Sequence, residues 1–307
     1  MQTPFEKRVT ETYDRALRRG ELLFIESTVS KFVEKGIEFE IRISPSLAKK
    51  PAGDLDKVTD ESTQKPKVNP FLPYNQELLV QEHGKHVILL NKFCVVPYHL
   101  LVVTKEYEKQ TDRLNSSDLE SAWYCIMQIK SHTSLAFYNC GELSGARYFI
   151  RYHRRQHLQV IPIPDDVLPL REIFEFSEFP FVHYVTLLDP QKSGRKSDVV
   201  GEHLNELYHY LLDTLIGDLQ DQSYSTDTNP PSYNFVVTHT WMMIVPRSNE
   251  KYENLSVNSL GFVGMLLLRS EEELKFVKEV GILKILEGVT IPKRPNTNSV
   301  ADSIDEA

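Results

Sequence analysis

The stretch SGARYFIRYHRRQHLQVIPIP (144–164) carries the residues best suited to chemistry. Side chains alternate faces along a strand, so His157 and Gln159 share one face while Leu158 and Val160 take the other. Arg151, Arg154 and Arg155 stand beside them, just after a glycine-containing loop. Such a set suits work on a phosphate group. Loop amides and guanidinium groups hold the phosphate. The imidazole attacks phosphorus as a nucleophile. The amide of Gln159 donates to a phosphoryl oxygen as charge develops there. The same pair also fits a plain strand in which the histidine merely satisfies its hydrogen bonds, and the pattern alone leaves both readings open. The chain has no GxxxxGK[ST] and no GxGxxG, so neither a P-loop nor a dinucleotide-binding turn is available.

The elements that must position these residues read as follows. Residues 4–34 show helical spacing, with Leu17, Leu22, Leu23, Ile25, Val29, Phe32 and Val33 at mixed 3 and 4 steps. A strand at 37–43 leads into a Lys-, Asp- and Pro-rich surface loop at 44–70. Two strands fall within 86–104 around a turn at Pro97, and a helix capped by Ser116 or Ser117 fits 116–131. Strand 135–139 runs into the loop CGELSGAR, and a charged segment leads to a strand at about 156–163. A strand at 181–188, a helix at 198–217, a hairpin over 232–246, a strand at 261–268 and a helix at 271–286 follow. Many strands with few helices and tight turns make an α+β chain with antiparallel pairing.

Composition bounds the partners. The 307 residues hold 35 Lys+Arg and 43 Asp+Glu, a net charge of −8, which argues against nucleic acid or an anionic membrane as the main partner. Apolar residues at 41% and charged residues at 25% are ordinary for a globular chain and exclude a mainly disordered one. Cys94, Cys125 and Cys140 form no CxxC, which points to reduced buried thiols and no structural zinc. The N-terminal residues show no signal-peptide core, and no apolar run approaches the roughly 20 residues that span a bilayer. The expectation is a cytoplasmic protein, with nuclear access left open.

Several blocks together resemble one family. They are PSLAKKP (45–51), LLNKFCVVPYHLLVVTKEYEKQTDRL (89–114), FYNCGELSGA (137–146), HLQ (157–159), SYNFVVTHTWMMIVPRS (232–248) and NSLGFVGMLL (258–267). In this order they resemble the fungal diadenosine 5′,5‴-P1,P4-tetraphosphate (AppppA) phosphorylases, or ATP adenylyltransferases, of the histidine-triad superfamily. The resemblance implies a histidine-triad-like α+β fold, an antiparallel sheet with packed helices. It implies one nucleotidyltransferase domain over 1–291, with a family N-terminal segment of about 5–190 and a C-terminal one of about 200–290. The tail 292–307 reads as disordered.

The resemblance also implies a reaction. His157 takes up an adenylyl group from AppppA, ATP leaves, and phosphate then releases ADP. Gln159 is expected to bind the phosphoryl oxygens. Lys50, Asn91, Lys92, Asn139, Ser144, Gly145, Asn258, Ser259, Leu260 (through its backbone), Met265 and Arg269 are expected to contact the substrate. A divalent cation such as Mg²⁺ is expected with the polyphosphate, without a dedicated carboxylate cage. Plain structural roles stand beside several of these: a solvated charge for Lys50, turns for Asn91, Lys92 and Asn139, and core for Met265, Trp123 and Trp241. One departure stands out. The family runs from the Ser-Gly loop through small residues to His-Lys-His-Leu-Gln. Here Ala146 and Arg147 take small-residue positions, YFIRYH is extra, and Arg155 stands where the first His belongs unless His153 serves. That departure motivates a second expectation, a non-catalytic adenine-nucleotide-binding protein. A third keeps the enzyme and changes the acceptor to water or sulfate. Oligomeric state is not readable.

Overall fold

The structure is a computed structural model that describes residues 2–46, 71–131, 133–145, 150–155, 172–188, 197–221 and 231–293. Helix α1 (Pro4–Arg18) begins at a capping box: Thr3 accepts from the Glu6 amide, and Glu6 accepts from the Thr3 amide. Phe5, Val9, Tyr13 and Ala16 form its buried stripe. The helix ends at Arg18 rather than 34. Gly20 turns the chain at φ +71, β1 (Leu23–Phe24) follows, and the rest is strand β2 (Thr28–Glu34). Lys35 and Gly36, at φ 48 and 80, make the tight turn that pairs β2 with β3 (Ile37–Ile43). Apolar residues at 29, 32 and 33 satisfy a short helix or a strand alike, and the turn decides between them.

The central sheet holds eight strands among the described residues. They are β4 (Leu79–His83), β5 (His86–Leu90), β7 (Leu100–Thr104), β8 (Thr133–Cys140), β9 (Ile150–Arg155), β10 (Tyr184–Leu187), β11 (Tyr233–Val237) and β12 (Trp241–Pro246). Their order is β10-β12-β11-β8-β9-β7-β5-β4, and every neighbouring pair is antiparallel. Short β6 (Phe93–Cys94) pairs with β1 in parallel, and β13 (Lys251–Tyr252) with β14 (Leu255–Ser256) forms a small hairpin. Strands from the first and last thirds of the chain thus share one sheet.

Period-2 alternation splits the core between the two faces. On β8, Ala136, Tyr138 and Cys140 join one cluster while Leu135 and Phe137 join the other. On β12, Met242 and Ile244 go one way and Trp241, Met243 and Val245 the other. The first face is covered by α1, α2 (Ser116–Gln128) and α3 (Ser197–Asp221), whose Leu204, Tyr208, Leu211, Leu215 and Leu219 keep helical spacing. The second is covered by β3 and by α4 (Ser259–Phe262), β15 (Met265–Leu268), α5 (Glu271–Val280) and α6 (Ile282–Gly288). Cys94, Cys125 and Cys140 are free and buried, as their apolar surroundings predict.

Other expectations move. The charged segment before 156 is itself strand β9, seated between β7 and β8, and β4 lacks a clear sequence signal. Residues 261–268 split into α4 and β15 at Gly264, φ +82, and 271–286 splits into α5 and α6 at Gly281, φ +89. α2 is capped by Asn115, not by a serine. Order reaches past 291: Pro292 bridges Phe181, and the Lys293 amide donates to Pro180 O at 2.9 Å. Residues 47–70 and 294–307, expected as a surface loop and a disordered tail, lie outside the described residues.

Candidate functional site

Six expected residues converge on the second face of the sheet. Asn139 of β8 is fully buried, and its Oδ1 accepts three hydrogen bonds. They come from the Ser259 hydroxyl at 2.7 Å, the Ser259 amide at 3.1 Å and Asn234 Nδ2 at 2.7 Å. Its Nδ2 is buried and has no hydrogen-bond partner among the described residues. A buried, unmet donor is expensive unless something supplies an acceptor.

The loop after β8 is bent by two glycines that no other residue replaces. Gly141 and Gly145 both lie at φ +81, in the left-handed region. A Cβ on Gly145 would stand 1.7 Å from Val257 O, and one on Gly141 would stand 2.3 Å from Ser232 Oγ. Between them Ser144 is buried, its hydroxyl donating to Gly141 O at 2.6 Å and its carbonyl accepting from Asn234 Nδ2 at 3.0 Å. The loop therefore lies directly on the 257–258 backbone. There Asn258 caps α4, accepting from the Leu260 amide at 3.0 Å. The Leu260 amide, expected to serve the substrate, is thus engaged in this cap.

The remaining expected residues lie elsewhere. Met265 is 2% exposed and packs in the second core cluster, and Arg269 is exposed at the end of β15. Asn91 makes turn bonds, accepting from the Phe93 amide at 3.1 Å and donating its own amide to His99 O at 2.8 Å. Lys92 is exposed, its Nζ 5.8 Å from the Phe93 ring. Leu90, Leu100, Tyr152 and Ala136 form one row across the sheet. Asn91 lies one residue beyond that row and Asn139 three residues beyond it in the opposite direction. That separates them by roughly 13 Å along the strands and roughly 14 Å across them. Lys50, His157 and Gln159 lie outside the described residues, as do Ala146 and Arg147; β9 ends two residues before His157.

Sequence reasoning misses the frame behind this cluster, Asn234 and Arg247. Arg247 follows Pro246 at the end of the 232–248 block, where nothing local marks it as buried, yet it is 1% exposed. A different trio resembles hydrolytic machinery: Ser121 Oγ is 2.9 Å from His86 Nδ1, and His86 Nε2 is 2.7 Å from Asp118. These residues are 1%, 1% and 3% exposed, and Asp118 also caps α2, so the trio fastens α2 to β5. No group of three His, Cys, Asp or Glu side chains among the described residues could hold a metal ion. Among the described residues no helix is long and apolar enough to cross a membrane.

The comparisons agree with this arrangement. The Ap4A phosphorylase N-terminal domain family matches residues 2–176 and the ATP adenylyltransferase C-terminal domain family matches residues 177–292. Diadenosine 5′,5‴-P1,P4-tetraphosphate phosphorylase 2 of Saccharomyces cerevisiae is 30% identical, over 89% of this chain and 90% of that protein. The crystal structure of yeast Ap4A phosphorylase Apa2 matches the fold with a TM-score of 0.78 at 24% identity, covering 96% of this chain and 100% of that one. The same enzyme in complex with Ap4A, which is AppppA, gives 0.75 at 25% identity with the same coverage. The α+β antiparallel frame, the glycine loop and the near-complete coverage lead to one conclusion: the chain belongs to the Ap4A phosphorylase and ATP adenylyltransferase family of nucleotidyltransferases.

Proposed function

We propose that this chain phosphorolyses AppppA to ATP and ADP, reversibly, through a covalent adenylyl-histidine on His157. The observation that carries the reading in the structure is the unmet Nδ2 donor of Asn139, set beside the Ser144-Gly145 loop. Phosphoryl and ribose oxygens are acceptors that meet such a donor. Family membership supports the catalytic reading over the binding-only one.

The chemistry splits one displacement into two. A ring nitrogen of His157 bonds to the α-phosphorus, and the bond from that phosphorus to the bridging oxygen breaks, so ATP leaves with the electron pair. An oxygen of inorganic phosphate then bonds to the same phosphorus, the nitrogen–phosphorus bond breaks, and ADP leaves. Gln159 and Asn139 donate to phosphoryl oxygens, and Lys50, Lys92 and Arg269 supply positive charge. Asn91, Ser144, Gly145, Asn258, Ser259 and the Leu260 backbone line the substrate site, and Met265 supports it from the second core cluster. The protein oxygens gathered at the described site are amides and hydroxyls. They suit a Mg²⁺ that arrives on the polyphosphate and keeps its waters. We place the protein in the cytoplasm.

The test is product analysis. AppppA with phosphate should give equal ATP and ADP, and without phosphate it should stall after one adenylyl group per chain. AMP in place of ADP would overturn phosphorolysis in favour of hydrolysis.

A further inference from the structure

Arg247 is sealed inside the protein, 1% exposed, and every one of its five N–H donors is used on a carbonyl oxygen. Nε donates to Val289 O at 3.0 Å. Nη1 donates to Val257 O at 2.8 Å and to Asn234 Oδ1 at 2.6 Å. Nη2 donates to Asn249 O at 2.8 Å and Glu250 O at 3.2 Å. The Phe262 ring lies 5.5 Å from the guanidinium carbon. Burial pushes this group down to about 9, so it stays charged at neutral pH. An apolar side chain of similar volume would take a donor from each of those five oxygens, so satisfying them already favours a donor-rich side chain here, and a functional reason must come from what the donors orient.

Direction gives one. An asparagine amide has nearly the same shape either way round, and its neighbours decide which end faces where. Arginine has no acceptor. Asn234 must turn Oδ1 toward Arg247, and its Nδ2 is then presented to Asn139 Oδ1 at 2.7 Å and Ser144 O at 3.0 Å. Asn139 must turn Oδ1 inward, which the Ser259 amide, also donor-only, requires independently. Asn139 Nδ2 is what remains. The other Nη1 bond holds Val257 O, the atom against which Gly145 closes the loop.

We propose that Arg247 is a positioning residue for the transferase site. Through Asn234 it fixes the Asn139 amide with its N–H group facing substrate, and through Val257 it sets the backbone on which the 141–145 loop rests. This rests on the reading of Asn139 as a substrate donor.

Asn234→Asp separates positioning from packing, because it keeps an acceptor for Arg247 and removes the donor to Asn139 and Ser144. The readouts are kcat and KM for AppppA phosphorolysis, the ATP Kd by calorimetry, which needs no turnover, and the melting temperature. Asn234→Asp should lower kcat/KM and weaken ATP by about 10- to 100-fold, the scale of a lost buried hydrogen bond. On an Asn139→Ala background the same change should add less than about threefold, because the two act in one chain. Arg247→Lys should retain more activity than Arg247→Met at matched melting temperature, and this pair carries the same test if Asn234→Asp does not fold. Folded Asn234→Asp within about twofold of wild type, or full additivity with Asn139→Ala, would overturn the proposal. Wild-type turnover alone tests phosphorolysis. A wild type that binds ATP with this mutational pattern but never turns over ends that reading and keeps the positioning role.

Discussion

At the residue scale, the Asn139 amide concentrates the account. Asn139→Asp keeps an oxygen for the Ser259 and Asn234 donors and replaces the unmet donor with a second acceptor. It should lower kcat/KM for AppppA about 10- to 100-fold, checked by steady-state kinetics against the melting temperature. Gly145→Ala should act through the loop: its methyl would meet Val257 O at a position 1.7 Å away, in a backbone with φ +81, so the loop must lift. KM for AppppA should rise and kcat should fall together. His183 offers a residue-scale test of stability. Burial holds it down to about 3, with its Nδ1 donating to Phe181 O and its Nε2 accepting from the Phe176 amide. Between pH 6.5 and about 3 the unfolded chain binds a proton there that the folded chain refuses. Stability contributed by the neutral ring is therefore present above 6.5 and declines as pH falls, by up to about 1.4 kcal/mol per pH unit. The slope of stability against pH below 6.5, from denaturant titrations, should be shallower in His183→Gln.

At the element scale, termini and glycine breaks decide more than propensity does. Glu34, at the end of β2, accepts from the Ile282 amide at 2.6 Å and so caps α6 from a residue far away in sequence. Glu34→Ala should cost about 1 kcal/mol by denaturant titration, with AppppA turnover unchanged. Such a cap is invisible to local patterning, because its acceptor comes from another element. The same holds for Arg247: its acceptors at 249, 250, 257 and 289 are carbonyls, and carbonyls have no residue-type signal. What reads well locally is what depends on neighbours. α2 and α3 lie close to where the local pattern puts helices, and β11 and β12 form the hairpin it marks, apolar residues buried on both faces. What reads poorly is where a glycine at positive φ divides a continuous apolar pattern, as at Gly20, Gly264 and Gly281. Strand β9 is a harder case, since Ile150–Arg155 carries three arginines yet sits between two strands of the central sheet.

At the scale of the whole molecule, the antiparallel sheet brings residues from distant segments to one place. Asn139, Asn234 and Ser259 are neighbours only because β8 pairs with β11 and α4 packs beneath them. The resemblance in the sequence marks Asn139 and Ser259, because the blocks that carry it contain them. It does not mark what holds them, because a supporting hydrogen bond is a property of the fold. The separation of Asn91 and Lys92 from this cluster is likewise a property of the sheet and suits a substrate with two ends. The most direct measurement incubates the purified chain with AppppA, Mg²⁺ and phosphate, beside His157→Ala and a phosphate-free control, and separates the nucleotides by chromatography. The account predicts equal ATP and ADP that need both phosphate and His157. Undiminished ATP and ADP from folded His157→Ala would contradict it.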